Sequence, residues 1–384
     1  MYDVGIIGVG YYGFKPTTPE VSFREMMFEA ASRAYTDAGV DDPRKTIDAF
    51  VTCEEDFWSG ISIFDEFTPD QLGGVYKPVY TIAGDGLVGL ASAYMKIRTG
   101  LFDIVIVEAH SKASEIITLN DIINFAYDPI YNRPLGLHPY FLAGLEATKY
   151  LHRTGGSRHH LSLVVEKNKT NALKNPLASY ASKITAEDVD KLKPVIEPLN
   201  SLDIARPVDV SVVVVLARGD IAKKFTDKIV WIDGIGWATE NPNIENRIWG
   251  HATYTRIAAN MAYKLAGIKN PSREFDMAIV DDKFSYKELE HIEALGLTGG
   301  NNVLRLLEDG EFSIKGSLPV NPHGGELGVG WALEASGLVA VLEGVYQLRN
   351  EAIGRQVPAK KIVIQSWRGI PTTTGAVAVL SSDN

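Results

Sequence analysis

The sequence predicts an α/β protein made of two similar βαβ halves, on three observations. A helix-strand unit written MFEAASRAYTDAGVDDPRKTIDAFV early in the chain is echoed later by ANMAYKLAGIKNPSREFDMAIV. In both, a helix ends at Ala-Gly, a polar turn with a proline follows, and a strand comes next. A second pair, ASAYMKIRTGLFDIVIVEA and VAVLEGVYQLRNEA with KKIVIQSW, repeats helix, turn and strand in the same order. Finally, the strands are too apolar to face water, so helices must cover them.

Taken in order, residues 4–9 read as a buried strand leading into a glycine-rich turn, Gly8-Val9-Gly10-Tyr11-Tyr12-Gly13. That stretch fits a dinucleotide fingerprint, but a lone match is weak and no acidic ribose partner stands clearly at the end of the second strand, so the turn is read as structural. Residues 23–38 form a helix closed by Gly39, and strands follow at 47–52 and 79–82. Then comes a helix over 87–99, with Leu87, Leu90, Ala91 and Tyr94 on one face and Gly100 at its end. The strand at 104–107 precedes an irregular, polar region over about 111–200. It contains a helix near 161–173 and breaks at Pro176, Pro194 and Pro198. A strand at 210–217 closes the first half (1–220), and one at 229–232 opens the second (228–384).

The 384 residues suit two halves of under about 200 residues each. Hydrophobic content of 45 % with 22 % charged residues is that of a globular protein. A net charge of −10 argues against a nucleic-acid partner. One cysteine, Cys53, permits neither an intrachain disulfide nor a cysteine zinc cluster, which fits the cytoplasm. The first residues lack a signal peptide's basic segment, and no run approaches the roughly 18 apolar residues of a membrane span.

Several ordered segments resemble the thiolase superfamily, in its archaeal and sterol-carrier-type branch. Residues 166–176, EKNKTNALKNP, resemble its lysine-asparagine-histidine and asparagine-proline stretch. Residues 206–217, RPVDVSVVVVLA, resemble the strand ending the first half, with Asp209 in its usual place. Residues 266–297 resemble the run that holds the HD-x-F motif, and 321–337, NPHGGELGVGWALEASG, resemble NP-x-GG followed by GHP. The resemblance implies αβαβα layers, with two sheets face to face and buried helices between them. It also implies an acyl-CoA thioester as ligand, with no other cofactor, and a homodimer pairing strands near the active site. Here that region is apolar: Val75, Pro78, Val79, Tyr80 and Ile82. Archaeal members also associate with a small zinc-ribbon/OB-fold protein that presents coenzyme A.

The same resemblance assigns the site. A thiolase needs a thiolate at the N-terminus of a buried helix, where amide N–H groups and the helix dipole favour the anion. Matching Gly86 and Leu90 to CASG-x-x-AL places Ala83 at the nucleophile position. The HD-x-F histidine position holds Asp281, and the GHP histidine position holds Trp331. Indole cannot act as a base, and a carboxylate repels an oxyanion unless protonated. The second-cysteine loop reads Gln365-Ser366-Trp367-Arg368-Gly369. Nucleophile and both histidines are therefore missing together, and Cys53 reads as a small buried hydrophobe.

Asp85 is read as a helix N-cap. Strand neighbours face opposite ways, so one at most of Asp281 and Asp282 enters the pocket. Ligand-binding candidates are His251 and Tyr254, an unclaimed polar pair, with His323, Gly324, Gly325 and Ser366. His159-His160 reads as a solvated pair, and no metal site is expected. The expected function is acyl-CoA binding without thiolase activity. The alternatives are a cysteine-independent carbon–carbon lyase acting on a β-hydroxyacyl-CoA by a retro-aldol route, or a scaffold subunit. A cleft plugged by Trp331 and Trp367 favours the scaffold.

Overall fold

The computed structural model describes residues 3–55, 64–241, 243–369 and 374–383. Strand β1 (Val4–Lys15) leads to helix α1 (Phe23–Ala38). Ser22 caps α1 in a reciprocal box with Glu25, and Gly39 ends it in the left-handed conformation. Strands β2 (Ala49–Cys53) and β3 (Val79–Ile82) precede helix α2 (Gly86–Arg98) and strand β4 (Ile104–Lys112). Helices α3 (Pro139–Thr154) and α4 (Arg158–Ala172) come before strand β5 (Asp209–Arg218). The second half holds β6 (Val230–Thr239), α5 (Thr253–Ala266), β7 (Met277–Ile279) and α6 (Ser285–Ala294). It ends with α7 (Gly325–Val329), α8 (Ser336–Leu348), β8 (Lys361–Trp367) and β9 (Thr374–Ser381).

Among the described residues these strands make one nine-stranded sheet, in the order β3-β2-β4-β5-β1-β6-β9-β8-β7. Its two sides repeat each other. Outward from the centre, each side runs first strand, last strand, next-to-last strand, second strand. Each pairs antiparallel near the centre and parallel further out. The outermost place is β3 on one side, and on the other a single parallel bridge from Ala278 to Val320. Among the described residues the two half-sheets pair through only Gly5↔Trp231 and Ile6↔Val230, so the sheet folds over at this seam.

Alternation along the strands builds the layers. Ile362 and Ile364 share one apolar cluster with Leu87, Leu90, Leu338 and Val105, while Val363 joins another. Helices α2 and α8 therefore lie between the two half-sheets, α1 covers the outside of the first and α5 that of the second. Leu338–Val345 is buried on every side of α8, as a central helix requires. The expected layering holds, with the half-sheets joined at their inner edges.

Two expectations are corrected. The glycines read as a turn continue β1 to Lys15. A Cβ on Gly8 would lie 2.6 Å from the Ala34 carbonyl oxygen, and one on Gly10 would meet Ala30 of α1. They let α1 lie close to the strand. Gly234 and Gly236 do the same for α5 against β6, repeating the device in the second half. The region 111–200 is not largely irregular: it holds two long helices, α3 and α4. Among the described residues no helix is long and apolar enough to cross a membrane.

Candidate active site

The N-termini of α2 and α8 meet at the centre of the molecule, and one carboxylate holds both. Asp85 Oδ1 accepts the Leu87 N–H at 2.9 Å and the Ser366 hydroxyl at 2.6 Å, while Oδ2 accepts the Gly337 N–H at 2.9 Å. Two glycines make this approach feasible: a Cβ on Gly86 would lie 2.5 Å from Leu338, and one on Gly337 would collide with Asp85. Burial raises the Asp85 pKa, and the Ser366 hydroxyl and the two amides pull it back. The N-cap expected from sequence is present, and it spans both halves. Ala83 stands two residues earlier, exposed beside the end of β3. Cys53 is fully buried in β2, facing α2 at Gly89, and burial drives its thiol pKa well up. A neutral, enclosed thiol is not a nucleophile.

Behind Asp85 lies a cavity of about 20 Å³, bordered by Asp281, His323, Gly325, Glu326, Ser336 and Ser366. A second, of about 10 Å³, is bordered by Glu55, Asp85, Trp331, Leu333, Glu334 and Arg368. Each has room for about one water molecule. Asp281 Oδ1 accepts the Lys283 N–H at 3.1 Å, and Oδ2 has no hydrogen-bond partner. Burial raises the Asp281 pKa to about 7. Asp282 faces the other way, accepting the Asn168 amide at 2.7 Å and the Glu326 N–H at 2.5 Å. Burial and the neighbouring Glu288 raise it to about 8. Asp281 is the member of the pair that borders the pocket. An acid of pKa near 7 both takes and gives a proton at neutral pH.

Trp331 and Trp367 close the site. Trp331 is 6 % exposed and fixed by backbone bonds to Arg206 and Val208. Trp367, 2 % exposed, stacks on Tyr254 with centroids 6.5 Å apart and meets Phe284 and His291 edge-on. Beneath it Lys287 is fully buried, 2.9 Å from Glu146, 2.8 Å from Glu290 and 3.2 Å from the Tyr254 hydroxyl. His291 completes the chain. Burial holds it neutral, so Nδ1–H donates to the Asp281 carbonyl at 2.9 Å and Nε2 accepts from Tyr254 at 3.0 Å.

The remaining candidates separate. Tyr254 is buried in this network, whereas His251 is exposed on a surface cleft with Arg153 and Arg256, so they are no functional pair. His323 borders the larger cavity, with burial lowering its pKa to about 3. Gly325 turns at φ 58° against the Asp282 carboxylate, and Gly324 precedes it at φ 109°; both are backbone requirements. His159 is exposed and His160 half-buried, and they bond Asp190 and Glu308 at 2.7 and 3.0 Å. Among the described residues no group of three His, Cys, Asp or Glu side chains is arranged to hold a metal. Sequence reading missed Lys283, Glu326 and Glu334. Only the placement of Lys283 two residues beyond Asp281 was a usable signal.

Residues 236–382 match the family described as thiolase C-terminal domain-like. The chain is 31 % identical to an acetyl-CoA acetyltransferase of Methanothermobacter thermautotrophicus, over 99 % of this chain and all of that protein. It is 23 % identical to a 17-hydroxy-3-oxo-4-pregnene-20-carboxyl-CoA lyase of Mycobacterium tuberculosis, over 97 % of this chain and 98 % of the relative. The fold matches a solved Ltp2-ChsH2(DUF35) aldolase with a TM-score of 0.85 at 22 % identity, covering 100 % of this chain and 98 % of that one.

Proposed function

The chain belongs to the thiolase superfamily, and from that membership we propose that it binds an acyl-CoA thioester without carrying the acyl group on the protein. The observation behind this reading is Asp85. The paired helix N-termini that would stabilise a thiolate are occupied by an internal carboxylate. Ala83 has no atom to carry an acyl group, and Cys53 is enclosed in the core. The two cavities admit about one water each, so an entering thioester must displace Trp331.

A second reading, a retro-aldol carbon–carbon lyase, is supported by Asp281. Its unpartnered Oδ2 and pKa of about 7 suit a general base for a β-hydroxyl proton. The lyase relative from Mycobacterium tuberculosis supports the same chemistry. The scaffold reading rests on how fully the two tryptophans fill the site.

The association proposed is a homodimer through the free edge of β3, where Val79, Tyr80 and Ile82 are half-exposed. A zinc-ribbon/OB-fold partner and a cytoplasmic location follow from the same family reading. Calorimetric titration with acetoacetyl-CoA tests the binding proposal. It predicts saturable binding that tightens in Trp331→Ala, where the plug is removed. Absence of heat in both proteins leaves only the scaffold.

A further inference from the structure

Both histidines that would hold a thioester oxygen are replaced, yet one cation stands between their positions. Lys283 is two residues beyond Asp281, past the end of β7, and its backbone N–H donates to Asp281 Oδ1 at 3.1 Å. Its Nζ lies 3.3 Å from the centroid of the Trp331 ring, over the other replaced position. The loop after β8 comes equally close, since a Cβ on Gly369 would lie 3.2 Å from Nζ. Lys283 is 6 % exposed, and among the described residues no acceptor lies within hydrogen-bonding reach of its ammonium.

The groups around it point to an absent oxygen ligand. Asp281 Oδ2, Glu326 Oε2 and both oxygens of Glu334 are buried without hydrogen-bond partners. None approaches Nζ closely enough to form an ion pair. Burial raises both glutamates well above the usual carboxylate range, which favours their uncharged forms. Burial also lowers the lysine, to about 8, while Glu326, Asp281 and Glu334 pull it back, so it remains mainly cationic at neutral pH. Among the described residues this ammonium has the Trp331 ring beneath it and lacks the anionic acceptor that buried cations ordinarily have.

We propose that Lys283 Nζ is the donor for the oxygen of a thioester enolate, one cation taking the place of both lost histidines. The inference rests on the acyl-CoA reading and adds the ligand's form: a 3-oxoacyl thioester ionised at C2. The C2 proton passes to solvent, and the electron pair moves onto the thioester oxygen that faces Nζ. No bond to the protein forms.

Acetoacetyl-CoA titrated without magnesium tests the proposal. Wild type is expected to develop the enolate absorbance band on binding. Lys283→Met should bind with the band reduced at least about tenfold, whereas Lys283→Arg keeps part of it. Asp281→Asn removes a competing negative charge and should keep or strengthen the band, an effect that a merely structural role for Lys283 does not produce. Calorimetry on the same samples separates binding from ionisation. Binding by wild type without the band overturns the proposal alone, as does an undiminished band in Lys283→Met. Absence of binding by wild type overturns the acyl-CoA reading and the proposal with it.

Discussion

Asp281 is a buried acid, and its burial has a thermodynamic signature. Its folded pKa is raised from 3.8 to about 7, chiefly by burial. Between those values the folded state holds a proton that the unfolded state has lost. Stability from this group is therefore fully present below pH about 4 and is lost as pH rises through about 7. Asp281→Asn retains the Oδ1 acceptor for Lys283 and cannot ionise. Urea unfolding across pH 4 to 7 should show wild type losing stability relative to Asp281→Asn, on the order of 1 kcal/mol per pH unit; parallel pH profiles contradict the assignment. Positions 83, 281 and 331 were singled out in the sequence because each sits inside a short stretch of fixed spacing. The role of Asp85 was only half legible. Its N-cap contact is two residues away, but its bond to Gly337 spans 252 residues, and local pattern carries no trace of that. Lys283, Glu326 and Glu334 were missed for the same reason: a charged residue in a strand or loop reads as solvated until the fold encloses it.

Among the elements, helices α2 and α8 carry the site, and their joint is the part most open to test. Asp85→Ala leaves Leu87 N–H, Gly337 N–H and the Ser366 hydroxyl without their acceptor in a buried place. The expected loss is about 3 kcal/mol or more. Ser366→Ala removes one of those bonds and should cost about 1 kcal/mol. Denaturant midpoints that place the two variants level would mean that Asp85 does not tie the helices together. Local signals defined α1 and β3 well, since a capping box, a left-handed glycine and a bounded apolar run are all short-range. They failed for α3, although Leu142, Ala143, Ala147, Tyr150 and Leu151 form a buried stripe at helical spacing and Gly155 ends it. Prolines and polar residues on either side hid that period. They failed too at Gly8 and Gly10, where glycine marks a close helix contact instead of a turn.

At the scale of the whole molecule, the strand order leaves one apolar edge, β3, without a further strand among the described residues. A two-fold partner pairing along that edge would cover Val79, Tyr80 and Ile82 and bury on the order of 2,000 Å² or more. Sedimentation at micromolar concentration should return a dimer, and a monomer there removes the β3 pairing. The two halves thus bring two helix N-termini to one point, and there the Asp85 carboxylate accepts an N–H from each. The most direct test is intact-protein mass spectrometry after incubation with acetyl-CoA, on wild type and on Ala83→Cys, alongside an assay of acetoacetyl-CoA thiolysis. Wild type should show no acetyl adduct and no turnover. Ala83→Cys should also fail to turn over, because Trp331 offers no base and Asp85 already holds the helix ends. Removing a nucleophile and its base together typically costs about 10⁶-fold in rate. An acetylated wild-type protein turning over near the median enzyme rate of about 10 s⁻¹ would contradict the account.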